Sequence, residues 1–193
     1  MKNYKPYIHL VKIILLIEFY LHSPLKSKKK KLNMKKVALI LCLTLSFSSF
    51  SQNEIPNIDV KTLDGQTVNI KEVANQDNVV IISLWATWCV PCIKELDAIS
   101  EVYDDWQEET GVQLIAVSVD DSRTVKRVKS LVNGKGWDYN VLLDTNNDLK
   151  RALGASTVPL TLVIKDNKIV LRHSGYSPGA EDELYEKVKE LSK

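Results

Sequence analysis

Cysteine is scarce in this chain, with three among 193 residues, Cys42, Cys89 and Cys92. Histidine is equally rare, and beyond residue 51 only two cysteines and His173 remain. A structural zinc site wants four nitrogen or sulfur ligands, so that supply argues against one. Glycine (7) and proline (6) are few beside 45% hydrophobic residues, which excludes collagen-like, mucin-like and mainly disordered chains. Long apolar runs are missing too: residues 8–20 are interrupted by Lys12 and Glu18, and residues 37–45 are too short to cross a bilayer. The length suits one globular domain, with or without an appendage.

Charge is lopsided. Residues 1–51 hold 10 of the 26 Lys and Arg and a single acid, Glu18; from Gln52 onward 16 basic side chains face 23 acidic ones, a net of −7. A soluble part this acidic, with no basic stripe, argues against nucleic acid as a partner.

The N-terminal third reads as targeting. Residues 34–51 have the layout of a signal peptide: Lys35 and Lys36, the apolar run 37–45, then Ser49 and Ser51 before a cut ahead of Gln52. Residues 1–33 are read as an upstream extension or a start placed too early, with Met34 the true beginning; the competing reading is a tethering N-terminal helix. Cys42 raises lipidation, against which stand the bulky Ile40 and Leu41. Export with cleavage after Ser51 leaves residues 52–193 as one domain.

Along that domain, runs at 58–62 and 66–70 flank Asp64-Gly65, a hairpin signal. Residues 79–85 form a continuous β-branched run of the kind buried on both faces of a sheet. From Cys92, the spacing of Leu96, Ile99, Tyr103 and Trp106 predicts one face of a helix ending near Gly111. Residues 112–119 read as a strand. Asp121-Ser122 is expected to cap a helix that buries Val125, Val128 and Val132 and stops at Gly134 and Gly136. A strand at 140–143, a helix at 148–153, strands at 160–164 and 169–173 around Asp166-Asn167, and a helix begun by Ser177-Pro178 complete the chain. The order predicts an α/β fold with a mixed central sheet covered by helices on both faces.

The chemistry lies in Trp88-Cys89-Val90-Pro91-Cys92. A C-x-x-C where a buried strand passes into a helix sets the first sulfur at the helix N-terminus, where unpaired N–H groups stabilise a thiolate. Pro91 suits the first helical turn. A two-residue spacer closes too small a loop to restrain the unfolded chain much, which weakens a purely structural disulfide. Redox exchange is therefore expected, with Cys89 attacking a partner's sulfur and Cys92 resolving the mixed disulfide.

The run from Ile82 to Glu95 resembles the active-site segment of the thioredoxin superfamily, particularly its exported TlpA and ResA type of thiol-disulfide oxidoreductase. The resemblance extends from Ile58 to Leu191 and takes in Asp144, Leu149, Gly154 and Thr157-Val158-Pro159. It implies a thioredoxin-like fold with an N-terminal β-hairpin extension. It also implies a cis Pro159 beside the cysteines, with the Val158 backbone pairing to substrate, and a partly buried Glu95 that shuttles protons as Cys92 enters or leaves the disulfide. Catalysis is thus assigned to Cys89, Cys92 and Glu95, and substrate contact to Trp88, Val90, Pro91, Val158 and Pro159. No metal is implied and no cofactor beyond the Cys89–Cys92 disulfide. The implied partners are protein thiols and disulfides of the envelope, with apocytochrome c or copper-site assembly factors as related examples, together with a membrane electron donor. The resemblance suggests a monomer outside the cytoplasm.

Alternatives stay open at this level: Pro159 as a trans residue opening a strand, and Glu95 as one more surface acid. Two other activities compete, a thiol peroxidase and a copper chaperone using His173, as does an inactive binding module. Val90-Pro91 departs from the Gly-Pro common in thioredoxin, so the resemblance names the reaction and leaves its direction open.

Overall fold

The computed structural model describes residues 53–193, so the expectations for the extension 1–33, the signal peptide 34–51 and lipidation at Cys42 lie outside the described residues. The described chain runs β1 (Asp59–Thr62), β2 (Thr67–Asn69), α1 (Ile70–Val73), β3 (Val80–Trp85), α2 (Val90–Thr110) and β4 (Gln113–Ser118). It continues through α3 (Lys126–Lys135), β5 (Asn140–Leu143), α4 (Asp148–Ala152), β6 (Leu160–Lys165), β7 (Lys168–Ser174) and α5 (Ala180–Leu191).

All seven strands join one mixed sheet in the order β2-β1-β5-β4-β3-β6-β7. β3 pairs parallel with β4, and β4 with β5; β6 runs antiparallel to β3 and to β7. Every residue of β3 is buried, as a strand covered by helices on both faces must be. The hairpin β1–β2 is no mere appendage, because β1 also pairs antiparallel with β5, which leaves β2 as the edge strand on that side of the sheet.

Local chemistry accounts for several boundaries. Asp166 and Asn167 both adopt positive φ (52° and 61°), the backbone of a two-residue turn matched to strand twist, and so join β6 to β7. α2 ends at Gly111, which takes the left-handed conformation at φ 67°. Its buried stripe is Cys92, Glu95, Leu96, Ile99, Tyr103 and Trp106, the expected face. At its far end Trp106 stacks on Tyr185 of α5 with centroids 4.8 Å apart.

Three boundaries differ from the sequence reading. The second hairpin strand is only Thr67–Asn69; Asn69 caps a short helix by accepting from the Lys71 amide, and Ile70 is already helical and buried. α3 begins at Lys126, not at an Asp121-Ser122 cap. Asp121 instead closes the preceding turn, accepting from the Arg123 amide and through its carbonyl from Thr124, while Gly134 lies inside the helix and Gly136 ends it at φ 67°. α5 begins at Ala180 after Gly179, because residues 177–180 form a turn closed by the Ala180 amide on the Ser177 carbonyl.

Candidate active site

β3 delivers the chain to the site. Trp85, its last residue, is fully buried and sits edge-on to Trp137 with centroids 5.2 Å apart, so it belongs to the core as expected. The chain then turns through residues 86–88, closed by the Cys89 amide donating to the Ala86 carbonyl at 3.0 Å, and enters α2. Cys89 is the N-cap in extended conformation, and Pro91 occupies the first turn, where a missing N–H costs nothing. Cys89 Sγ accepts from the Cys92 amide at 3.3 Å, the position in which a thiolate would meet the positive end of the helix. No acidic residue stands in that first turn to oppose it.

Cys89 and Cys92 are joined as a disulfide with their Cα atoms 5.3 Å apart. Cys92 is fully buried, while Cys89 retains 5% exposure and is the more accessible residue of the pair. Around it Trp88 (58% exposed) and Val90 (64%) form an apolar rim, with Pro91 also exposed.

Glu95 comes off the same face of α2 one turn later and is 4% exposed. Its Oε1 accepts from Thr161 Oγ1 at 2.7 Å and its Oε2 from Ser83 Oγ at 3.2 Å. These hydroxyls are register partners across the antiparallel β3–β6 pair, so the sheet presents them side by side beneath the helix. Burial raises the Glu95 pKa to about 7, outweighing the two hydrogen bonds that favour the carboxylate, and the charge of Glu181 adds slightly to the rise. The carboxyl also borders a cavity of ≈ 260 Å³ lined by Ile99, Leu171, Leu184 and others. His173, expected to stand apart as an ordinary strand residue, is exposed on β7 and reaches that lining.

The Val158–Pro159 bond is cis. β6 starts at the next residue, and Leu160 pairs with Leu84, so Pro159 lies at the end of the sheet from which the cysteine turn emerges. Pro159 is buried and Val158 half-buried; the Gly175 amide donates to the Pro159 carbonyl at 3.0 Å, tying the end of β7 to the same place. Cys89, Cys92, Trp88, Val90, Pro91, Val158 and Pro159 therefore gather at one end of the sheet, with Glu95 behind the pair.

Sequence reasoning missed Ser83, Thr161 and Asp120. Ser83 and Thr161 had a signal, as lone hydroxyls in the apolar runs of β3 and β6. Asp120 had none, since Val119-Asp120-Asp121 gives no reason to prefer the first acid over the second. Among the described residues no cluster of three or more His, Cys, Asp or Glu is placed to hold a metal ion.

Comparison with known proteins agrees with this architecture. The chain is 32% identical over 118 residues to the thiol-disulfide oxidoreductase ResA of Bacillus thuringiensis (strain Al Hakam), covering 61% of this chain and 65% of that protein, just under two thirds of its length. Against the ResA of Bacillus thuringiensis subsp. konkukian (strain 97-27) identity is 26% over 178 residues, covering 86% of this chain and 99% of the relative. Among solved structures, an uncharacterized thioredoxin-like protein from Porphyromonas gingivalis is 47% identical with a TM-score of 0.65, covering 72% of this chain and 91% of that one. StoA from Bacillus subtilis, at 22% identity and a TM-score of 0.55 over 72% of this chain and all of its own, shares the fold. The fold is thioredoxin-like, and with the AhpC/TSA family model matching residues 51–173 the chain belongs to that family.

Proposed function

We propose that this protein is a thiol-disulfide oxidoreductase of the cell envelope that reduces protein disulfides through Cys89 and Cys92. One observation carries the reading. The two sulfurs are bonded to each other at the start of α2, Cys89 5% exposed beneath an exposed apolar rim and Cys92 fully buried, one helical turn before a buried carboxyl whose pKa is raised to about 7.

The chemistry follows from that arrangement. In the reduced protein Cys89, stabilised as a thiolate by the α2 N-terminus, attacks one sulfur of a substrate disulfide. The other substrate sulfur leaves as a thiolate and takes up a proton. Glu95, when ionised, accepts the proton of the Cys92 thiol. The Cys92 thiolate then attacks Cys89 Sγ, forms the internal disulfide and releases the second substrate sulfur. Two electrons pass from the dithiol to the substrate. The reverse sequence runs with protonated Glu95 supplying the proton to Cys92 as it leaves. Trp88, Val90 and Pro91 offer an apolar rim to a peptide, and pairing with the substrate backbone is assigned to Val158.

The signal-peptide layout of residues 34–51 supports an envelope location, where a reductant needs a membrane electron donor to stay dithiol. Among the described residues no helix is long and apolar enough to cross a membrane. We take the working unit to be a monomer that needs no cofactor beyond the dithiol.

Glutathione titration of the protein, read through tryptophan fluorescence, tests the direction. A reduction potential near that of thioredoxin, about −270 mV, is expected of a reductase; one near −120 mV would make the protein a disulfide donor instead. Peroxide consumption without turnover of a protein disulfide would replace the proposal with a thiol peroxidase.

A further inference from the structure

A second buried carboxyl group lies close to the turn that carries Cys89. Asp120, just past the end of β4, is fully buried, and no ion pair among the described residues involves it. Three donors fill its oxygens: Oδ1 accepts from Thr87 Oγ1 at 2.6 Å, and Oδ2 accepts from the Thr87 amide and Ser118 Oγ, both at 2.8 Å. Its own amide donates to Ser118 Oγ at 3.1 Å, so the carboxylate is itself held in place. A buried carboxylate is a costly way to join two segments, since apolar packing does the same without desolvating a charge. Fold stability alone therefore gives little reason for it.

Its location supplies a reason. The regular β3–β4 ladder continues to the Val119 amide, which donates to the Trp85 carbonyl at 2.8 Å. Beyond that the chain leaves the sheet, and the turn 86–89 is closed only on itself by the Cys89 amide. Thr87, in the middle of that turn, is attached to the body of the protein through both of its donors, and both go to Asp120. One side chain thus anchors the residue two positions before Cys89.

We propose that Asp120 is a positioning residue of the dithiol site: by gripping Thr87 it holds Cys89 Sγ against the Cys92 amide at the N-terminus of α2. Its hydrogen bonds go to Thr87 and Ser118 and to neither sulfur. Glu95 moves the proton from the helix side while Asp120 fixes the geometry from the strand side. The inference rests on the thiol-disulfide reading of the site.

The test is the pH profile of Cys89 alkylation by iodoacetamide, in a full-length Cys92→Ser background, followed by the mass of the Cys89 peptide so that Cys42 does not interfere. Thr87→Val removes the hydroxyl donor and leaves every charge in place. We expect it to move the midpoint up by about half a pH unit and slow alkylation at pH 7 about threefold, the effect of one modest hydrogen bond. Thr87→Ser, which keeps the hydroxyl, should restore the profile, and Asp120→Asn should shift it upward as well. A Thr87→Val midpoint equal to that of the parent would overturn the proposal. So would a downward shift in Asp120→Asn, because a charge acting through space and not through Thr87 would behave that way. Should Asp120→Asn fail to fold, the Val and Ser pair decides alone. Failure of the protein with both cysteines to reduce insulin would sink the functional reading, while the midpoints would still judge the anchor.

Discussion

The N-termini of α2 and α5 are chemical opposites within one domain. α5 opens with Glu181, Asp182 and Glu183, three fixed negative charges at the positive end of its dipole. Glu181 also folds back, its Oε2 accepting from the Gly179 amide at 3.0 Å and from Tyr176 Oη at 2.9 Å. α2 has no acid in its first turn and is capped by a cysteine sulfur. The difference separates a helix end used for stability from one reserved for a charge that appears only during reaction. A fixed acid at α2 would occupy the field that the Cys89 thiolate needs; at α5 no reacting group competes.

Removing the reserved charge has the largest expected effect. Cys89→Ser should abolish dithiol exchange, read as loss of insulin-disulfide reduction to background; retained turnover would show that Cys89 is not the nucleophile. α5 is untouched by that change, so the circular dichroism of the fold should stay the same.

Next in size is Glu95→Gln. Loss of the proton acceptor should slow resolution by Cys92 by about a hundredfold. It should also remove the inflection near pH 7 from the rate profile, since the raised pKa makes carboxylate available only above about 7. Stability should move the other way. The folded state holds the Glu95 proton up to about pH 7, whereas an unfolded glutamate releases it near its ordinary pKa of 4.5. Across that window the folded chain binds the extra proton, so stability falls as pH rises. Between pH 4 and pH 8 wild type should therefore lose about 3 kcal/mol of stability that Glu95→Gln does not lose, measured from urea unfolding of both proteins at the two pH values. Equal pH dependence in the two proteins would refute the raised pKa.

The smallest and sharpest change makes α2 resemble α5. Val90 is 64% exposed in the first turn, so Val90→Asp places an acid there without disturbing the core. Helix stability should rise by about 0.5 kcal/mol, while the Cys89 thiol pKa goes up and its alkylation at pH 7 slows about threefold. An unchanged alkylation rate would mean that the thiolate does not sense the helix terminus.

How much of this was legible in the sequence depended on distance along the chain. The β-branched run of β3, the helical spacing from Cys92 to Trp106 and the turn at Asp166-Asn167 are local patterns, and each appeared close to its expected place. The starts of α3 and α5 were misplaced because Asp121 and Ser177 read as helix caps, yet both close turns just upstream. The Asp121 carboxylate accepts within its turn as an N-cap would, whereas the turn at Ser177 is closed by its backbone carbonyl, so residue type alone does not separate turn from cap. The C-x-x-C pair and the downstream Val158-Pro159 were found by motif. Asp120 was not found at all.

The reactive pair and its placement at a strand-to-helix junction were readable from the residue order, because they depend on residues within a few positions of one another. The surroundings of Glu95 and Asp120, by contrast, exist only once the chain is folded. Glu95 acquires its pKa from burial and from hydroxyls contributed by two strands, one of them 66 residues away, and Asp120 reaches Thr87 across 33 residues. Desolvation and cross-strand register arise when distant segments pack together, and no local pattern of residue types encodes them.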